Sequence, residues 1–202
     1  MIGYTLKGSS QAEIYDFAKE FFAEQGRKST EAIIQQLKKD NKTQKSLVNA
    51  FDELFLRCKK LQQGEKKGRI RYIHIFFLKS CLFTEKYEIQ ITLFDKQSYA
   101  DKCYVYELWN PEVFTQYFQK DLECFRERNN LILFDYHKFQ DIKFKYYHMF
   151  LTLIGQFIIQ EIRHVTELPS YGAMEKHPEI QFIYGGYMDK GFQVYPAAEV
   201  II

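Results

Sequence analysis

Apolar residues recur first at helical spacing, then at every second position, then at helical spacing again; this change of period organises the chain. Ile14, Phe17, Ala18, Phe21 and Phe22 share one helical face. Ser10-Gln-Ala-Glu13 ahead of them is a capping box, in which the serine oxygen accepts a first-turn N–H and the glutamate reaches back. Gly26 is the expected stop. Ser29 opens a second helix carrying Ile33, Ile34 and Leu37. After the polar run 38–43, Leu47, Val48, Phe51, Leu54, Phe55, Cys58 and Leu61 form one apolar stripe. Residues 38–43 read equally well as a turn or as a polar stretch of one long helix. Gln62 to Gly68 is polar, carries two glycines and reads as a linker.

Beyond Gly68 the period changes. Tyr87, Ile89, Ile91 and Leu93 alternate with Glu88, Gln90 and Thr92, the pattern of a half-buried strand with a polar outer face. Arg69 to Leu82 and Tyr99 to Leu108 supply strands on either side, and Asp95 to Ser98 supplies a turn, giving an antiparallel meander over 69–108. Asn110-Pro111-Glu112 starts a helix with a cap, a fixed φ and a carboxylate at the positive end of the dipole. Val113, Phe114, Tyr117, Phe118, Leu122 and Phe125 form its buried face, and Asn129-Asn130 its end. Leu131 to Phe134 fits no element clearly. From about His137 to Arg163 runs a long helix, apolar on nearly all sides in its C-terminal half and therefore expected at the centre of the fold. Ile180 to Met188 and Phe192 to Tyr195 form a hairpin, with Gly185-Gly186 marking a bulge or a close backbone approach.

Helices and strands thus come in separate runs, which predicts an α+β fold. We expect one domain over 1–202, with a helical part at 1–63 and a sheet-containing part at 69–202. The N-terminal helices and the 137–163 helix are expected to pack on one face of the sheet.

Composition adds an aromatic core. With 19 Phe, 15 Tyr and one Trp, the chain fills its interior without metal or disulfide. The same abundance makes rings poor pointers to a site. Cys58, Cys81, Cys103 and Cys124 lie too far apart for a paired zinc spacing and read as reduced thiols, so no metal or other cofactor is expected. A net charge of +2 implies no global attraction to nucleic acid or anionic membrane. The N-terminus shows no charged leader with an apolar core, and the charge-free stretch 146–160 is shorter than a bilayer span. These features predict a cytoplasmic protein without a membrane span.

Candidate chemistry is sparse. Arg57, Lys59, Lys60, Lys66, Lys67, Arg69 and Arg71 run into the aromatic strand 72–77, as in a single-strand nucleic-acid platform, with Lys66, Lys67, Arg69 and Arg71 as the contacts. The residues after Gly68 do not fit an RNP1 strand. Thr43 to Leu47 has the look of a helix-turn-helix start, but no glycine turn or polar recognition helix follows. His137, Asp141 and His148 share a helix side; Lys145 is the simpler partner for Asp141, and His148 is too far along the axis to share an ion with His137. The segment 164–179 lacks periodicity and reads as a long loop, offering His164, Glu167, Ser170, Glu175 and His177 as an enzyme-like polar set. No nucleophile elbow, zinc-protease motif or phosphate loop accompanies it. The apolar end Glu199 to Ile202 suits a partner groove or the protein's own sheet. Tyr171, Met174, Tyr184, Tyr187 and Phe192 crowd the C-terminal hairpin with more large side chains than it can bury. The sequence therefore favours a non-enzymatic binding or regulatory module that recognises another protein or itself through 164–195. Nucleic-acid binding at 57–71 and catalysis at 164–179 stand as alternatives.

Overall fold

A computed structural model describes residues 11–129 and 136–196. The capping serine Ser10, the stretch 130–135 and the tail at 199–202 lie outside the described residues, as does the side chain of His137. The elements in chain order are α1 (Gln11–Lys39), α2 (Lys42–Gln63), β1 (Ile70–Phe77), α3 (Cys81–Thr84), β2 (Ile89–Phe94), a 3-10 turn (Ser98–Ala100), β3 (Val105–Trp109), α4 (Glu112–Asn129), α5 (Tyr136–Thr166), α6 (Pro169–Ala173), β4 (Lys176–Gly186) and β5 (Gly191–Tyr195). The fold is α+β. One five-stranded sheet has the order β3-β2-β1-β4-β5, antiparallel except for the parallel pair β1–β4. The meander and the C-terminal hairpin are both present. Among the described residues no helix is long and apolar enough to cross a membrane.

The chain forms two compact units: residues 1–40 with 112–153, and residues 41–111 with 154–202. The first is helical. Phe22 and Phe125 meet at 4.7 Å between ring centroids, and Phe118, Tyr146 and Phe150 continue the core. Asp121 is buried here and accepts hydrogen bonds from Gln25 at 3.0 Å, Ser29 at 2.7 Å and Tyr146 at 2.5 Å. Those donors supply what a buried carboxylate needs.

Gly26 does not end a helix. α1 runs through it to Lys39, because a Cβ at Gly26 would stand 2.8 Å from Met149 Sδ. The glycine gives α5 a close approach, which costs α1 less than a break would. The break falls at residues 40 and 41, so 29–63 contains the end of one helix and all of a second.

In the second unit one face of the sheet is covered by helices. Phe51 of α2 lies 6.2 Å from Phe182, Tyr171 of α6 lies 5.9 Å from Phe182, and Phe157 of α5 stacks on Trp109 at 6.2 Å. A Cβ at Gly155 would stand 2.8 Å from the Tyr184 ring. Trp109 Nε1 donates to Ser46 at 2.8 Å.

The segment 164–179 is not a loop. α5 continues to Thr166 around buried Val165, Pro169 opens α6, and β4 begins at Lys176. Proline at the first helical position favours that restart, and the exposed first half of β4 hides its alternation. α5 is not apolar all round either: His148, Thr152, Gln156, Ile159, Gln160 and Arg163 are exposed. Gly185 makes the close backbone approach, since a Cβ there would lie 2.7 Å from Gly191 Cα, whereas the register shift falls at Phe182–Ile183.

Candidate interaction surface

The face of the sheet opposite α2, α5 and α6 is built from alternate positions. On β1 these are Tyr72, His74 and Phe76; their partners across the ladders include Phe94, Thr92 and Gln90 on β2, and Gln181, Ile183 and Gly185 on β4. On β3, Tyr106 and Leu108 pair with Thr92 and Gln90. β1 therefore carries apolar residues on both sides, Ile73, Ile75 and Phe77 toward the helices and aromatic rings away from them. The polar outer face expected of β2 is largely covered: Thr92 is fully buried and receives a hydrogen bond from Gln90 at 3.0 Å.

His74 sits at the centre. Phe76, Phe94, Tyr99 and Tyr72 surround it edge-on at 5.1, 5.3, 5.4 and 6.0 Å. Its Nδ1 is buried without a hydrogen-bond partner. Burial drives its pKa down to about 4, so the ring is neutral at physiological pH. The rings continue from Phe94 to Tyr104 at 6.2 Å, Tyr104 to Tyr106 at 6.3 Å, and Tyr99 to Tyr187 at 6.0 Å. Tyr99, Tyr104, Tyr106 and Tyr187 are between 41% and 55% exposed, and Met188 is 66% exposed beside them.

A buried ion pair places two of these rings. Lys67 is paired with Asp101, and its ammonium also donates to the carbonyls of Leu93 at 3.0 Å and Cys103 at 2.6 Å. The Asp101 carboxylate accepts the N–H groups of Asp95 at 3.0 Å and Cys103 at 2.9 Å. Burial alone would raise the Asp101 pKa; the Lys67 hydrogen bond and the two amides outweigh it and hold the group lowered. This clamp fixes the connection from 95 to 104. Tyr99 folds back over the sheet within it, and Tyr104 leaves at its end.

Lys67 is therefore not a nucleic-acid contact, because its charge is spent internally. Arg69 and Arg71 face Glu175 and Glu179 at 3.8 and 2.7 Å, Arg57 is paired with Glu107, and Lys66 is exposed. Acidic side chains distant in sequence divide the basic cluster. The enzyme-like set is divided too. His164 Nδ1 meets Glu161 at 2.9 Å, Glu167 binds Arg163 at 2.8 Å, and Ser170 donates to Asp52 at 2.5 Å. His177 Nδ1 accepts the Glu179 N–H at 3.2 Å. Each is bonded to a group outside the set, Glu175 to Arg69, and no hydrogen bond or ion pair joins two of the five. Burial pushes the Cys58 thiol up to about 12, the direction opposite to activation. Asp141 pairs with Lys145 at 2.8 Å. Among the described residues no three His, Cys, Asp or Glu are grouped to hold a metal ion.

Of the five ring and methionine positions predicted for a partner, only Tyr187 lies on this open face. Tyr171, Met174 and Tyr184 are buried on the helix-covered side. Phe192 is half exposed but packs on Tyr184 at 5.5 Å, toward that same side. Tyr99, Tyr104 and Tyr106 were missed. Their signal was a β1 aromatic at every second position beside an alternating Tyr104, Tyr106 and Leu108, which leaves one sheet face aromatic with no helix assigned to it. Comparison of the chain with family models, with curated proteins and with solved structures gives no match.

Proposed function

We propose that this protein is a non-enzymatic binding module that recognises another protein through the aromatic face of its sheet. One observation carries the reading: a path of ring contacts runs from Tyr106 through Tyr104, the buried Phe94 and Tyr99 to Tyr187, and its four tyrosines stay open to solvent. Tyrosine gives large contact area at low entropic cost, and its hydroxyl tolerates water until a partner arrives. The chemistry of the face selects the class of partner. None of its strand positions carries Lys or Arg, and phosphate contacts supply most of the affinity for nucleic acid. A neutral aromatic surface suits protein instead.

The test is a photo-crosslinking amino acid at position 106, compared with position 160 on the exposed side of α5, in cells of the source organism. Tyr106 should yield a discrete protein adduct that mass spectrometry identifies and that Tyr104→Ser removes. No adduct at 106, or the same adducts from 160, ends the proposal.

A further inference from the structure

Resting on that reading, we infer that the protein bound to this face is a second copy of the chain, docked face to face about a two-fold axis. Three observations support this occupant. The first is area. Tyr99, Tyr104, Tyr106, Leu108, Tyr187 and Met188 are 41% to 66% exposed; at about 100 Å² each they offer roughly 600 Å². That reaches the upper end of apolar patches on monomers. With the partly exposed Tyr72, Gln90 and Ile183 in the same face, it approaches the ~800 Å² per partner of a stable interface.

Charge is the second. The ladder positions on this face carry no ionic side chain, His74 at their centre is neutral, and Arg71, 5.5 Å from the Tyr72 ring at the border, is already paired with Glu179. An isologous interface brings each group against its own kind, so a charged face would repel itself and a neutral one does not.

The third is the state of the sheet edge. β3 is an edge strand, and two of its outward backbone groups are already occupied. Arg57 donates to the Tyr106 carbonyl at 2.8 Å, and Glu107 accepts the Leu108 N–H at 3.2 Å while pairing with Arg57. Those bonds take the places a neighbouring strand would fill, which closes the edge to pairing between copies. Stacking of the two faces, about 10 Å apart as in a β-sandwich, remains available.

Sedimentation equilibrium of the purified full chain over a range of concentrations tests this. A reversible monomer–dimer equilibrium is expected. Tyr106→Ser should weaken it by roughly tenfold to a hundredfold, and Tyr106→Arg should abolish it by setting like charges across the axis. Gln160→Arg, on the exposed side of α5, should leave the dimer constant unchanged. Circular dichroism establishes that each variant is folded. A monomer at every concentration overturns the inference, as does a dimer indifferent to both Tyr106 substitutions or one weakened equally by Gln160→Arg. A monomer that still gives the specific adduct at 106 overturns self-association and leaves the binding module standing. A monomer without that adduct overturns both.

Discussion

Acidification should destabilise this protein through His74, and His74→Phe should remove that part of the response. The folded imidazole is held neutral down to about 4 because burial among rings, with Nδ1 unpartnered, penalises the cation. In the unfolded chain it takes a proton near the ordinary ~6.5. Between those values the unfolded state binds the extra proton, so stability rises with pH across the window and is lost as pH falls through it. The full difference corresponds to about 3 kcal/mol. Water at the rim of the open face screens it, and about 2 kcal/mol is the expected loss between pH 6.5 and 4. Urea unfolding followed by the fluorescence of Trp109, the only tryptophan and a buried one, measures it. Phenylalanine fits the ring cluster and removes the unsatisfied nitrogen, so the variant should lie within about 1 kcal/mol of wild type at pH 7. Carboxylates with lowered pKa values, such as Asp101, add acid sensitivity to both proteins and cancel in the comparison. Equal steepness of the two pH profiles from 6.5 to 4 would refute the assignment.

Lys67→Met strands the buried Asp101 carboxylate and should cost about 3 to 5 kcal/mol in urea unfolding, whereas Arg69→Ala, which removes an exposed pair, should change stability by less than about 1 kcal/mol. Gly185→Ala places a Cβ against the backbone of Gly191 and should destabilise the hairpin by about 1 to 3 kcal/mol; a neutral result by thermal melting contradicts that close approach. Arg57→Ala frees the Tyr106 carbonyl and should hasten thioflavin-positive aggregation on mild heating with little change in midpoint; an unchanged lag time would show that the side chains do not guard the edge.

The reach of the sequence can be judged element by element. Ile89, Ile91 and Leu93 announce β2, and Asn110-Pro111-Glu112 announces α4, because burial of one face and the chemistry of a helix start are local requirements written in adjacent residues. Gly26 misled for the opposite reason: its lack of a side chain serves Met149, more than a hundred positions away, and nothing nearby says so. Pro169 and the exposed start of β4 made 164–179 look unstructured, although its backbone is helix and strand. The candidate surface was half legible. Rings were seen to exceed what one hairpin could bury, yet the hairpin was the wrong place for most of them.

What the sequence determined by itself was the alternation of periods, and with it the α+β class, the meander, the hairpin and an aromatic interior. Tertiary structure alone decided which charges are spent and which rings are spare. Lys67 became a buried clamp when the 95–104 connection brought Asp101 to it, and Arg71 met Glu179 across 108 positions. Tyr184 went under the helices and Tyr187 did not, because the alternation of β4, which ends at Gly186, delivers the residue three places on to the other face of the sheet. Period fixes which residues share a face; only the packing of distant elements decides which face is covered.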